Sequence, residues 1–487
     1  MPFYSPAPTP ASFQHTLRSF VQTDGLSFSD VLSAERIQEI ADQEHVSFGT
    51  ADTNVYSVPV TLWAFLSQVT SSSKSCVSAV ARVLVLLGIL GRPRCNAGSG
   101  AYCKARAKLP ERFLQRLACV VGSQLEDQAP HAWRWRRHRV ILVDGSTLSM
   151  PDTPENQSVY PQSRSQRPGV GFPLLRWVAL IGLATAAVLD SAFGPCRGKE
   201  TGEPALFRTM LDSLRPGDVL VADRYYCSYW LIALAQARGV HVVFRKHQLR
   251  STDFRRGRRL GHQDHVVTWT KPARPKWMDE DTYAELPNEL AVREVRGSIT
   301  TPGCRTRSIV VITTLSDARE YPREAILELY HHRWNAEVDL RSIKTHMNMD
   351  ILRCLSPEMV RKEIWTHLLA YNLVRQVMAE AAREHDVTPR QLSFTAALQT
   401  INEYRPLLLA VTNAGLPALI QAILAAIATH RVGNRPNRCE PRKVKRRPKP
   451  YPPLTCHRSR YLEISHKNRY WSTGPSKRKK PKYIRAN

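Results

Sequence analysis

The chain predicts an α/β fold, on three observations. Two apolar runs, residues 138–144 (HRVILVD) and 219–223 (VLVAD), each end in an aspartate. Unbroken aliphatic residues closed by an acid and a turn residue suit strands covered on both faces. Helical periodicity fills the spaces around them, so strands and helices alternate. A run of short β-like segments, residues 248–320, interrupts that alternation before helices resume.

In order along the chain, residues 1–24 are rich in Pro, Ser and Thr and read as a loose arm. No basic region leads into an apolar one there, so no signal peptide is expected. Residues 25–130 read as a helical domain. Ser29 and Asp30 offer caps for a helix through Ile40, and residues 58–68, 77–90 and 110–125 are apolar-periodic. Arg92, Arg94, Lys104, Arg106 and Lys108 give this domain a basic edge, suited to holding a DNA end. Residues 131–247 give the first strand, two strand-like runs within 174–189, a helix at 204–214, the second aspartate-ended strand, a helix at 229–238 and a strand at 241–246. Strand, hairpin, helix, strand, helix, strand is the order of a ribonuclease-H-like sheet between helical layers. Residues 248–320 form a β-rich insertion, with runs at 266–270, 290–295 and 308–314. Residues 321–430 complete the core with helices, ending in an apolar stretch at 407–429 that Asn413, Gly415, Pro417 and Gln421 divide. Residues 431–487 are a basic, Pro-rich tail in which no packed core is expected.

A chain of 487 residues allows two to four domains. Its net charge of +27 points to a polyanionic partner, most simply nucleic acid. Of that charge, +17 lies in residues 431–487, so the body is only mildly basic. Ten scattered cysteines show no C-x2-C pair, which excludes zinc-finger spacing and reads as reduced thiols in the cytoplasm. The uncharged run at 177–189 is too short to span a bilayer and the one at 407–429 is broken, so no membrane partner is expected.

Residues 330–344 hold the most informative pattern. Tyr330, Arg333, Glu337 and Lys344 stand at offsets 0, 3, 7 and 14, within roughly 60° of one another on a helix. A carboxylate there can hold a divalent metal while the cations grip phosphates beside it. Asp144 and Asp223, at the carboxyl ends of their strands, supply two further acids where open α/β sheets place their sites. Each acid alone has a plainer reading, as a turn residue or a solvated helix face. Their joint occurrence with the cations and the phenol favours metal chemistry. Three neighbouring features do not add to it. The stretch 194–200 lacks the spacing and the hydroxyl of a phosphate loop, so no nucleotide is implied. His331 and His332, as helix neighbours, cannot both face one metal. Trp269 and Trp277 suit either packing or stacking on an unpaired base.

The pattern Tyr-x2-Arg-x3-Glu-x6-Lys resembles the signature of bacterial DDE transposases of insertion-sequence family 4. The similarity extends to the contexts of Asp144 and Asp223, the 114-residue gap from Asp223 to Glu337, and the stretches 198–203, 215–218 and 435–442. The tail beyond Cys456 follows no family pattern. The resemblance implies that Asp144, Asp223 and Glu337 are catalytic and bind Mg²⁺, with Mn²⁺ as a substitute. Tyr330, Arg333 and Lys344 would bind DNA. It further implies a homodimer acting on double-stranded DNA, both element ends and target, in the bacterial cytoplasm. The rivals are a phosphatase or ribonuclease with the same metal chemistry, and a catalytically idle DNA-binding descendant. The intact acids weigh against the last, and the helical domain and basic tail against a small-molecule phosphatase.

Overall fold

The computed structural model describes residues 14–20, 32–48, 54–93, 95–298, 308–433, 454 and 457–460. Its strands are β1 (Val140–Ser149), β2 (Leu174–Gly182), β3 (Val188–Pro195), β4 (Val219–Ala222), β5 (His241–Arg245), β6 (Arg258–Gly261), β7 (Asp264–Thr270), β8 (Glu289–Ser298) and β9 (Ser308–Thr313). They form one mixed sheet in the order β3-β2-β1-β4-β5-β9-β8-β7-β6. β1, β2 and β3 are antiparallel neighbours, while β4 runs parallel to β1 and β5 parallel to β4. The strands of residues 248–320 do not make a separate sheet. β9 pairs antiparallel with β5, and β8, β7 and β6 extend the same sheet outward.

Before the sheet come α1 (Gln14–Ser19), α2 (Ala34–Gln43), α3 (Val58–Thr70), α4 (Cys76–Ile89), α5 (Gly100–Lys108) and α6 (Glu111–Asp127). Then follow α7 (Pro154–Val159), α8 (Glu203–Arg208), α9 (Tyr229–Ala237), α10 (Glu280–Glu285), α11 (Arg323–His331), α12 (Trp334–Arg341), α13 (Pro357–Glu384), α14 (Phe394–Ala410) and α15 (Leu416–Thr429). α2 is capped by the Ser33 hydroxyl, which accepts from the Arg36 amide. Ser29 and Asp30 lie outside the described residues. No helix among the described residues is long and apolar enough to cross a membrane.

The core forms where α13 crosses the sheet. It is buried through most of its 28 residues and packs on α6, α3, α15 and β3. Asn372 on α13 explains the fit. Its side chain accepts from the Val188 amide at 2.8 Å and donates to the Val188 carbonyl at 2.8 Å and the Ala118 carbonyl at 2.9 Å. One amide thus joins α13, β3 and α6. α6 comes this close to β3 because Gly122 has no Cβ, which would otherwise collide with the Val188 carbonyl.

β1 and β4 carry the feature that matters for chemistry. Their apolar residues are fully covered, as uninterrupted aliphatic runs predict for central strands. Val143 on β1 pairs with Ala222 on β4. The next residues along these two parallel neighbours are Asp144 and Asp223, so the register delivers both acids to one edge.

Of residues 431–487, the described ones include 457–460, and these are held rather than free. The Arg458 amide donates to the Gly169 carbonyl, and its guanidinium reaches Asp152 at 3.0 Å and the Gly171 carbonyl at 2.6 Å.

Candidate active site

Asp144 lies within β1, with its side chain 18% exposed, and its Oδ1 accepts from the Gly145 amide at 2.9 Å. Asp223 ends β4 and caps a short turn, accepting from the Arg224 amide at 2.6 Å. Both acids thus accept from the amide of the following residue, a local bond that short carboxylates favour, and Asp223 alone caps a turn. Burial pushes the Asp144 carboxyl up to about 6. The charges of Glu337 and Glu203 push the same way, against the Gly145 amide and Arg333.

The signature does not lie on one continuous helix. α11 ends at His331, and His332 and Arg333 form a tight turn. There the Arg333 amide bonds back three residues to the Tyr330 carbonyl, and the Ala336 amide bonds to Arg333 in the same way. α12 follows, and its last turn widens into a π segment at Ser342–His346. A tightened turn followed by a widened one breaks the even stripe that 3.6 residues per turn predicts.

The side chains still work in pairs. The Arg333 guanidinium donates to Glu337 Oε1 at 2.8 Å and lies 3.8 Å from Asp144 Oδ2, so it bridges acids from a helix and a strand. Burial opposes its charge, and Glu337, Tyr330 and Asp144 together more than offset that penalty. Lys344 is set apart on the π segment. Its Nζ donates to Ser146 Oγ and the Thr147 carbonyl of β1, each at 2.8 Å. Burial lowers its pKa. Tyr330 is buried, and burial, with the charge of Asp223 adding to it, pushes its phenol up to about 12. The phenol is therefore a neutral donor at any working pH.

α12 is anchored from behind. Asp339 is fully buried and pairs with Arg375 at 3.0 Å and Arg390 at 3.1 Å. Two residues from Glu337, this pairing holds the helix to the rest of the core.

Among the described residues no three His, Cys, Asp or Glu side chains converge closely enough to hold a metal ion. Between Asp144 and Glu337 it is the Arg333 guanidinium that supplies positive charge. The donor set is all oxygen, the kind a hard divalent cation takes.

Two participants had no role in the sequence reading. Ser146 receives Lys344, a contact between residues 198 apart in the chain. Glu203 lies against Gly145, and its only signal was its place in the stretch 198–203. The two tryptophans of the insertion are packed. Trp269 is buried beneath Arg250, and Arg208 covers Trp277 at 3.8 Å. On the basic edge, Arg106 bonds to Gln68 and lies over Phe65, whereas Lys104 and Lys108 are exposed. Arg94 lies outside the described residues.

This geometry sits inside a region with recognisable relatives. Residues 135–373 match the transposase DDE domain family. The chain is 28% identical over 359 residues to the transposase InsG of insertion sequence element IS4 from Escherichia coli K12, covering 72% of this chain and 77% of that protein. The piggyBac transposase in its synaptic complex with hairpin DNA aligns over 85% of each chain, at 9% identity and a TM-score of 0.40. The matched region contains β1, β4 and α12, and with them Asp144, Asp223 and Glu337. The chain belongs to the DDE transposases of insertion-sequence family 4.

Proposed function

We propose that this transposase cuts at the terminal repeats of an insertion element and joins the freed 3′ ends to target DNA. Residues 131–247 and 321–430 would form a ribonuclease-H-like core, with 248–320 inserted and the helical residues 25–130 holding the element end. The observation that carries the reading is the meeting of acids from distant segments. Asp144 and Glu337 share one guanidinium, and the β1–β4 register brings Asp223 beside Asp144.

Asp144, Asp223 and Glu337 are the residues that would hold Mg²⁺, or Mn²⁺ in its place. When bound, the ions supply an activated water or 3′-hydroxyl and stabilise the leaving oxygen. The chain's own groups do the rest. A DNA phosphate competes with Glu337 for the forked face of Arg333, since guanidinium pairs with either in two parallel bonds. Lys344, held on β1 by Ser146 and Thr147, presents a second cation on the same strand as Asp144. Tyr330 supports the strand near the cut as a neutral donor. Two element ends must be cut and joined together, which requires at least a homodimer on DNA.

The test uses purified protein and linear DNA carrying the element's ends. Asp144→Asn, Asp223→Asn and Glu337→Gln should each abolish cleavage and leave end binding intact, because a neutral amide cannot replace the charge a hard cation needs. Normal cleavage by any one variant removes that residue from the centre.

A further inference from the structure

The helical residues before the sheet bring two thiols together that the chemistry of the centre does not use. Cys76 is the first residue of α4, behind its Ser75 cap, and Cys103 lies in α5. Gln68 of α3 holds the two helices in register. Its amide nitrogen donates to Cys76 Sγ at 3.7 Å, while its Oε1 accepts from the Tyr102 hydroxyl at 2.6 Å and from Arg106 at 3.0 Å. Cys103 stands next to Tyr102 and one turn before Arg106, and its thiol is hydrogen-bonded to the Cys76 sulfur. Both cysteines are partly exposed, so a small solute can reach them.

The surroundings favour a thiolate at Cys76. Free amides at a helix N-terminus offset negative charge placed there. Arg106 supplies a cation with no carboxylate partner among the described residues. Its Nε is buried without a hydrogen-bond partner. Burial opposes its charge, and the groups that offset this are Cys354, Tyr102, Cys76 and Cys103. The hydrogen bond from Cys103 brings the Cys76 thiol down to about 6, with Arg106 and Gln68 acting the same way against burial. Cys103 is pushed up by that same bond and by burial. Burial also pushes up Cys119, Cys196, Cys227 and Cys354. A thiolate held against a protonated thiol is the arrangement in which one sulfur attacks and the other resolves. Metal binding is the other use for grouped sulfurs, and among the described residues no three ligands converge for it.

We propose that Cys76 and Cys103 form a reversible disulfide by exchange with a low-molecular-weight disulfide such as oxidised glutathione, with Cys76 the attacking sulfur. The Cys76 thiolate attacks one glutathione sulfur, the glutathione S–S bond breaks, and one glutathione thiolate leaves. Cys103 then faces a neutral mixed disulfide instead of a thiolate, so its proton is released to water more easily. Its sulfur attacks that of Cys76 and expels the second glutathione. The two protein thiols are oxidised by two electrons, and one glutathione disulfide is reduced to two thiols. The pairing is independent of the metal centre.

The experiment uses full-length protein, reduced and then freed of reductant, and exposed to oxidised glutathione at neutral pH. Peptide mapping without reduction shows which cysteines are joined. Cys95 and Cys103 both lie between Arg94 and Lys104, so fragmentation of the linked peptides must tell them apart. In the parent, Cys76 and Cys103 should become linked with the loss of two hydrogens, and dithiothreitol should separate them. Cys103→Ser should instead retain one glutathione on Cys76, because the resolving thiol is gone. Cys76→Ser should take up glutathione at Cys103 at least about tenfold more slowly than Cys103→Ser takes it up at Cys76. Glutathione on both cysteines of the parent with no link, or a link from Cys76 to Cys95 or Cys354, overturns the pairing. Equal rates for the two serine variants overturn the role of Cys76 as attacker. Thermal melts of the reduced proteins check folding. Iodoacetamide labelling of the parent carries the test should a variant prove unstable: Cys76 should be alkylated well before Cys103 at neutral pH, and the reverse order sinks the proposal.

Discussion

A single guanidinium defines the site at the scale of residues. Arg333 neutralises Glu337 at 2.8 Å but only partly compensates Asp144 at 3.8 Å, and burial leaves the Asp144 carboxyl titrating at about 6. That has a consequence for stability. The folded pKa lies above the unfolded value near 3.8, so ionising Asp144 costs the folded state. The cost is absent below pH 4, grows between pH 4 and 6 and is complete above pH 6. Asp144→Asn should therefore stabilise the metal-free protein by roughly 1–3 kcal/mol at pH 8. The gain should shrink as pH falls and vanish below about pH 4. Thermal melts of both proteins across that range check the sign; an equal gain at pH 3 and pH 8 would contradict it. A second prediction concerns alignment. Arg333→Ala and Lys344→Ala should lower strand transfer by at least about tenfold while changing total DNA affinity only a few-fold. One phosphate contact adds little to overall binding but sets geometry at the cut. Equal losses in both measurements would make them ordinary backbone contacts.

The signature is a composite at the scale of elements. A tight turn at His332–Arg333 and a π segment at Ser342–His346 divide what the spacing predicts as one helix. The division has uses: it lets Arg333 reach both Asp144 and Glu337, and it carries Lys344 onto β1. α12 between them is only eight residues long and depends on its buried anchor. Removing Asp339 takes the carboxylate from the buried Arg375 and the part-buried Arg390, leaving them only neutral partners, a loss of about 3 kcal/mol. Asp339→Ala should lower the melting temperature and cleavage together, whereas Glu337→Gln should lower cleavage alone. The contact of α6 with β3 makes a sharper prediction. Alanine is better than glycine in a helix by about 1 kcal/mol. Gly122→Ala should nonetheless destabilise the protein, because its Cβ would overlap the Val188 carbonyl, a backbone atom of the β2–β3 hairpin. A higher melting point for Gly122→Ala would show that the helix and hairpin can separate without loss.

Among the described residues one nine-stranded sheet runs through the molecule, and the sequence gathers its positive charge in residues 431–487. Arg458 ties residues 457–460 to the loop around Gly169–Gly171, through backbone and side-chain bonds. Residues 461–487 add eight further cations against one Glu. Deleting 461–487 should weaken nonspecific DNA binding and flatten its salt dependence, while thermal stability, end recognition and metal-dependent cleavage persist. Extending the deletion through Arg458 should cost stability as well, since Asp152 then loses its cation and keeps only Gln157. A salt slope unchanged by the first deletion would remove the tail from the DNA contacts.

The α/β class, the two buried strands that carry the aspartates and the residues of the signature were legible from sequence, because each depends on local composition and period; the expected strand end at Asp144 was not, since β1 runs on to Ser149 in its pairing with β2. Buried aliphatic runs announce central strands, and the resemblance rests on spacing along the chain. What pattern could not supply was anything set by distant segments meeting. The strands of residues 248–320 join the main sheet because β5 leaves an open edge, and no local signal encodes which edge a strand will choose. The helix breaks at Arg333, whose guanidinium lies near acids of two different elements, a meeting that spacing along the chain does not encode. Glu203 became visible only when the fold laid it on Gly145, 58 positions earlier in the chain. Propensity and periodicity are properties of neighbours in sequence. The charge balance of this centre is a property of neighbours in space, and only the tertiary structure decided it.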